Sequence, residues 1–274
     1  MAIVRTNDAH YKNIAQKLRE CLNNDRLEFT PDEMPDEIQN VYNAGVINGH
    51  TAGTEAGIAQ GKQSAYDEFW NAFQRNGTLT SYNYAFAGNG WNATSFKPKY
   101  SMYPVRADCM FHTCPMKEDI QTIFDRQGIV LDTSNATSVG QMFAYSSITG
   151  CGEISTVKSA DLSMMFYQDK FMKTIGKLIL KSDGSQTFNN TFYLCEALEN
   201  ITIEGIIGNN FDAKHSTKLT KQSITSIINA LSTTTSGKTL TLSQTAVINA
   251  FGSLDNAEFT ALVGSRTNWT ISTV

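Results

Sequence analysis

Apolar and polar positions follow three successive rhythms along this chain. Tyr11, Ile14, Ala15, Leu18 and Leu22 share one face of a 3.6-residue period and predict an amphipathic helix capped by Asn7 or Asp8. Asn23-Asn24-Asp25 interrupts it with turn-forming residues. Thr30 and Glu33 then have capping-box spacing around Pro31, and a further helix starting near Pro35 buries Ile38, Val41 and Tyr42. From Gly45 the period becomes four, through Gly49, Gly53, Gly57 and Gly61. Tyr66, Phe69, Trp70 and Phe73 return to helical spacing, and Asn76-Gly77 ends that helix.

The third rhythm is a longer repeat. Gln141-Met142-Phe143, Met164-Met165-Phe166 and Asn190-Thr191-Phe192 are each followed by a polar turn and an apolar run: Ser147 to Ile154, Met172 to Leu180 and Leu198 to Ile206. The steps between these phenylalanines are 23 and 26 residues. Looser copies at Phe86 and Phe111 extend the pattern to five coils from about Thr80 to Gly208. An insertion at Lys117–Arg126 carries Ile120, Ile123 and Phe124 as a short helix. A unit of this length cannot bury its apolar face alone, so the pattern predicts a solenoid. The apolar runs are short and β-branched, which predicts one short parallel strand per coil, with Gly150, Gly152, Gly176 and Gly205 at the bends.

Beyond the repeat, Thr220 caps a helix carrying Ile224, Ile227, Ile228 and Leu231. Thr239–Leu242 reads as a strand, Asp255 with Glu258 opens a second helix that stops at Gly264, and Asn268–Ile271 closes as a strand. The fold class is therefore α+β. Its parts are an N-terminal helical module (1–43), a glycine-ladder helix or linker (44–65), a solenoid opened by the aromatic helix (66–211) and a C-terminal α/β cap (212–274).

Composition narrows the possible functions. The 274 residues are 41% hydrophobic and 18% charged, with a net charge of -4. That balance provides no basic face for nucleic acid. No apolar run reaches membrane-spanning length, so membrane insertion is not expected. The segment Met1 to Asp8 lacks the basic-then-apolar plan of a secretory signal. Five cysteines without a Cys-x-x-Cys pair read as reduced, small buried residues, with a Cys109–Cys114 bridge as the other possibility. His10, His50, His112 and His215 lie in separate modules, Gly88-Asn89-Gly90 reads as a turn, and no Gly-x-Ser-x-Gly occurs. No catalytic, cofactor or metal constellation emerges, although paired carboxylates of a glycosidase are not visible to sequence.

Two stretches resemble known families. Ile14-Ala15-Gln16-Lys17-Leu18-Arg19-Glu20 followed by Thr30-Pro31-Asp32-Glu33-Met34-Pro35-Asp36-Glu37-Ile38 looks like a short module at the N-termini of phage and prophage tail-associated proteins, with Cys21-Leu22 and a short connecting loop as departures. The repeat, carried by Phe143, Ile148, Ile154, Phe166, Ile175, Leu178, Leu180, Phe192, Leu198, Ile201 and Ile203, resembles irregular bacterial (BspA-like) leucine-rich repeats, and it departs from the asparagine-ladder consensus. Together the resemblances imply a leucine-rich-repeat solenoid with short parallel strands. They also imply a non-enzymatic tail fibre or baseplate-associated virion protein, assembled in the bacterial cytoplasm and joined to other tail proteins through its N-terminal module.

The functional expectations follow from that frame. The solenoid is expected to recognise a host cell-surface protein or glycan. His112, Tyr145, Tyr167 and Tyr193, just after successive phenylalanines, are the candidate receptor stripe; the competing reading is that they pack the turn. Gly45, Gly49, Gly53, Gly57 and Gly61 are candidates for a homo-oligomeric, trimeric stalk. Five glycines cost a lone helix roughly 5 kcal/mol, which close backbone packing between copies would offset; a flexible linker is the alternative. Two other functions remain in view: a secreted bacterial adhesin of the same repeat class and a surface-glycan depolymerase.

Overall fold

A computed structural model describes residues 81–88 and 96–274, together with Gly61 and Ser64. Readings that fall on the first two helices, the aromatic helix, Cys21, His10, His50 and the glycines from Gly45 to Gly57 lie outside the described residues. Gly61 is helical and half-buried. The described residues within Thr80–Lys97 and Ser101–Val274 belong to one compact unit, a β-solenoid of about four turns with short parallel strands and a few helices.

The corner carrying each phenylalanine builds the solenoid. At Phe86, Phe111, Phe143 and Phe166, the backbone N–H of the phenylalanine donates to the next coil, as do the N–H groups two residues before and after it. For Phe143 these bonds run from Gln141 to Ser163 O (3.4 Å), from Phe143 to Met165 O (2.8 Å) and from Tyr145 to Tyr167 O (2.8 Å). The intervening N–H groups close tight turns within the coil, as in Met142 to Val139 O, Ala144 to Gln141 O and Ser146 to Phe143 O. Alternate amides thus bond between coils and within a coil, so the buried corner satisfies its backbone without a regular strand. Left-handed backbone makes this possible. φ is positive two residues before the phenylalanine at Tyr84, Cys109, Gln141, Met164 and Asn190, and two after it at Thr113, Tyr145, Gln168 and Leu194. In the first coil Gly88 takes the second position. L-residues with side chains pay about 1–2 kcal/mol for such backbone, so inter-coil bonding and packing must impose it.

The phenylalanines themselves form the axis of the core. Phe86, Phe111, Phe143, Phe166 and Phe192 stack ring on ring at centroid spacings of 5.4, 5.4, 5.3 and 5.5 Å, and Phe211 continues the series tilted by 42° at 5.3 Å from Phe192. All six are buried. Phe96 packs edge-on against Phe86 and Phe111 and reaches Phe124 in the insertion helix.

That helix, α1 (Ile120–Arg126), buries Ile120, Ile123 and Phe124 and is capped by Asp119, whose carboxylate accepts from Gln121 N and Thr122 N. Strands β1 (Gly150–Ser155), β2 (Thr174–Ile179) and β3 (Asn200–Glu204) form a parallel sheet in that order. Among the described residues, the coils before β1 meet without regular strands, through isolated bridges such as Ser81–Arg106 and Arg106–Ser138. Three of the expected bend glycines lie inside strands instead. A Cβ on Gly150 or Gly152 would run into Asp119 or Gln121, so these glycines let α1 lie against β1. Gly176 similarly admits the backbone of Gly152. Gly205 is at a bend, with φ +98°, against the Leu180 carbonyl.

The C-terminal region carries a sheet of its own. Phe211–Ala213 is β4, Lys221–Asn229 is α2, Lys238–Leu242 is β5, and β6 (Trp269–Thr273) completes a second parallel sheet in the order β4-β5-β6. Thr220 caps α2 as expected. Ser223 and Ser226 of that helix accept the N–H groups of Ile201 (3.0 Å) and Ile203 (2.8 Å), so hydroxyl side chains close the β3 edge. Helix α3 (Gln244–Phe251), capped by Ser243, does not follow from the sequence reading. The last helix, α4 (Ala257–Gly264), is capped by Asn256 and not by Asp255, one residue later than the capping-box spacing implied. Asn256 accepts from both Glu258 N and Phe259 N while its amide donates to Phe251 O, tying α4 to α3.

Candidate recognition surface

The stripe predicted from sequence is a physical column. His112, Tyr145, Tyr167 and Tyr193 meet in series, with ring centroids 5.4 Å apart for His112–Tyr145, 5.3 Å for Tyr145–Tyr167 and 5.1 Å for Tyr167–Tyr193. The column extends one member further, to His215, 4.7 Å from Tyr193. The rings pack against their neighbours while one side stays open to solvent. Tyr145 is 47% exposed, and the other four are half-buried.

The corner geometry places these side chains. His112, Tyr167 and Tyr193 occupy the residue after the phenylalanine. In the third coil that residue is the buried Ala144, and Tyr145 comes from the next position, where its left-handed backbone redirects the ring. His215 escaped the sequence reading because its coil replaces the turn with strand β4, which changes the offset from Phe211. The recurring spacing from the phenylalanine carried the signal for His112, Tyr167 and Tyr193 and, one residue later, for Tyr145; nothing in the local sequence carried it for the fifth member.

At its His215 end the column adjoins an open cleft of about 520 Å³ lined by Lys170, Glu196, Lys214, His215, Thr217 and Lys218. Lys214 is paired with Asp212 at 2.9 Å. Among the described residues neither Lys170 nor Lys218 has an ion-pair partner.

Directly beneath lies a polar position of the same repeat. Three residues after successive phenylalanines stand Cys114, Ser146, Asp169 and Cys195, all buried. Ser146 Oγ donates to Asp169 Oδ2 at 2.6 Å, and the N–H groups of Phe171 and Met172 donate to Oδ1 at 3.2 and 3.1 Å. These bonds fix the turn that carries Lys170 at the cleft. Burial pushes the Asp169 carboxyl up to about 7, and its three hydrogen bonds only partly oppose that.

The four described cysteines are free and buried, so Cys109 and Cys114 do not pair. Burial pushes the Cys114 thiol up to about 12 and raises Cys151 and Cys195 well above the usual thiol range. None of these three is a thiolate nucleophile near neutral pH. Among the described residues no three His, Cys, Asp or Glu side chains gather as metal ligands. Two exposed carboxylates, Glu153 on β1 and Glu204 on β3, share Lys177 of β2 at 3.4 and 3.3 Å on the outer face of the first sheet. No helix among the described residues is long and apolar enough to cross a membrane. Comparison of the chain with protein-family models, with curated proteins and with solved structures finds no significant match.

Proposed function

We propose that this chain is a non-enzymatic recognition protein of a phage or prophage tail, and that the column from His112 to His215 is its contact surface for the host cell. The carrying observation is the column itself. Five aromatic side chains, each from a different coil, hold one half-open strip of rings on a backbone tied coil to coil by hydrogen bonds. Aromatic rings fixed in this way present their outward edges at little entropic cost and suit contact with sugars or with the side chains of a surface protein. The coils are, in this reading, irregular leucine-rich repeats. Attachment to other tail proteins belongs to residues 1–43 and trimerisation to the glycine ladder.

Two measurements test the reading. Antibody raised against the chain should label the tails of particles released from the source bacterium, as seen by electron microscopy; label confined to the cell wall would favour a secreted adhesin. Particles carrying Tyr145→Ala with Tyr167→Ala should adsorb to host cells at least tenfold less well, while the isolated double variant keeps the melting temperature of the parent within a few degrees. Unchanged adsorption would remove the column from recognition.

A further inference from the structure

The cleft at the His215 end of the column points to the chemical class of the partner. We infer that it seats the carboxylate of an acidic saccharide whose ring lies against Tyr193 and Tyr167; this rests on the recognition reading above and narrows it. Three features converge.

First, the cleft brings three lysines to one glutamate, in a chain whose net charge is -4. The local field there opposes that of the molecule as a whole and favours an anion. Lys214 is already occupied by Asp212, but Lys170 and Lys218 have no ion-pair partner among the described residues. Second, Lys170 is held on a turn whose amides are bonded to the buried Asp169, so one charge is positioned before any ligand arrives. Third, His215 lines the cleft and meets Tyr193 edge-on at 4.7 Å, which joins the charged cleft to the aromatic column.

The volume, about 520 Å³, falls in the range of small-ligand sites. The arrangement is bipartite: ammonium groups for the charge, and the outward edges of the stacked rings one coil away for the neighbouring sugar. A bare anion would use only the first part and a neutral sugar only the second.

Retention of the full chain on immobilised polygalacturonate, alginate and hyaluronan, compared with dextran and methyl-esterified polygalacturonate, tests this. At least one acidic polymer should retain the chain tenfold more strongly than either neutral polymer, and 0.5 M NaCl should abolish the difference. Lys170→Glu with Lys218→Glu should remove the acidic preference and leave the melting temperature and any residual binding to dextran unchanged. Tyr167→Ala with Tyr193→Ala should weaken both acidic and neutral binding. Equal retention on acidic and neutral polymers, or on none, overturns the inference. So does inorganic phosphate at 5 mM displacing the chain as well as galacturonate oligomers at the same concentration, because the rings would then add nothing. No acidic preference in the parent chain, with adsorption still dependent on Tyr145 and Tyr167, would refute the cleft alone. Adsorption independent of the tyrosines would refute the recognition reading itself.

Discussion

Phe143 and Phe166 lie with ring centroids 5.3 Å apart and planes 1° from parallel, both fully buried. Neither ring reaches solvent, and each also stacks on a ring of the coil beyond, Phe111 or Phe192. A coil in the middle of the solenoid therefore contributes to the stability of two interfaces through a single side chain.

Phe143→Ala should destabilise the chain by about 3–5 kcal/mol, the usual cost of truncating a buried aromatic side chain, because rings above and below prevent collapse of the cavity. Phe143→Leu should cost clearly less. Urea denaturation followed by circular dichroism measures both. A loss below about 1 kcal/mol for the alanine variant would show that the column is not the axis of the core.

The position of these phenylalanines was legible in the sequence because a bulky aromatic returned every 23 to 32 residues, and burial demands nothing else so regular. Strands β2, β3, β5 and β6 and helices α1 and α2 were legible for similar reasons: β-branched runs, a helical period and a Thr cap. The corner itself was not. Left-handed backbone is usually announced by glycine, yet here Tyr84, Cys109, Gln141, Met164 and Asn190 adopt it under tertiary constraint. The glycines that do occur in β1 and β2 serve close approach and so misled the assignment of bends. The column was legible as a stripe, but the cleft was not, since Lys170 and Lys218 come from different coils and their meeting depends on coil geometry.

Leu194, with φ +57°, offers a direct reading of that constraint. Leu194→Gly removes the strain and adds freedom to the unfolded chain, so its net effect should be within about 1 kcal/mol of zero, apart from lost packing. Leu194→Val places a β-branched side chain where left-handed backbone is least tolerated and should be the less stable of the two by about 1–2 kcal/mol. The reverse order would contradict the corner geometry.

Asp169 sets a pH dependence of the fold. Its carboxyl titrates at about 7 when folded and near the ordinary carboxylate value when unfolded, chiefly because burial penalises the charge. Between those values the folded chain holds a proton that the unfolded chain has released. Stability from this group is fully present below the ordinary carboxylate value and is lost as pH rises through about 7. Its buried neighbours Cys114, Cys151 and Cys195 add no positive charge to hold the carboxylate. Asp169→Asn preserves an acceptor for the Phe171 and Met172 amides and a donor for Ser146. Its unfolding free energy should vary much less between pH 4 and 8 than that of the parent, and at pH 8 it should equal or exceed the parent. An identical pH profile for both chains would show that Asp169 titrates normally.

Ser223 and Ser226 close the β3 edge by accepting from Ile201 and Ile203. Ser223→Ala leaves the buried Ile201 amide unpaired and should cost about 1–3 kcal/mol; Ser226→Ala, next to a less enclosed site, should cost less. Amide hydrogen exchange at Ile201 and Ile203 should accelerate selectively in the matching variant. Unaltered exchange would mean that another group takes over the bond.

The corner keeps the same five-residue form while the chain between corners does not keep its length. Steps of 25, 32, 23 and 26 residues separate successive phenylalanines, and the longest contains α1. Segments between corners, such as the one that carries α1, can thus be lengthened without shifting the rings, because the alternating amides hold each corner in register with the next. Such a design separates what must stay fixed from what is free to diversify. New loops can be added at one coil while the others keep their aim.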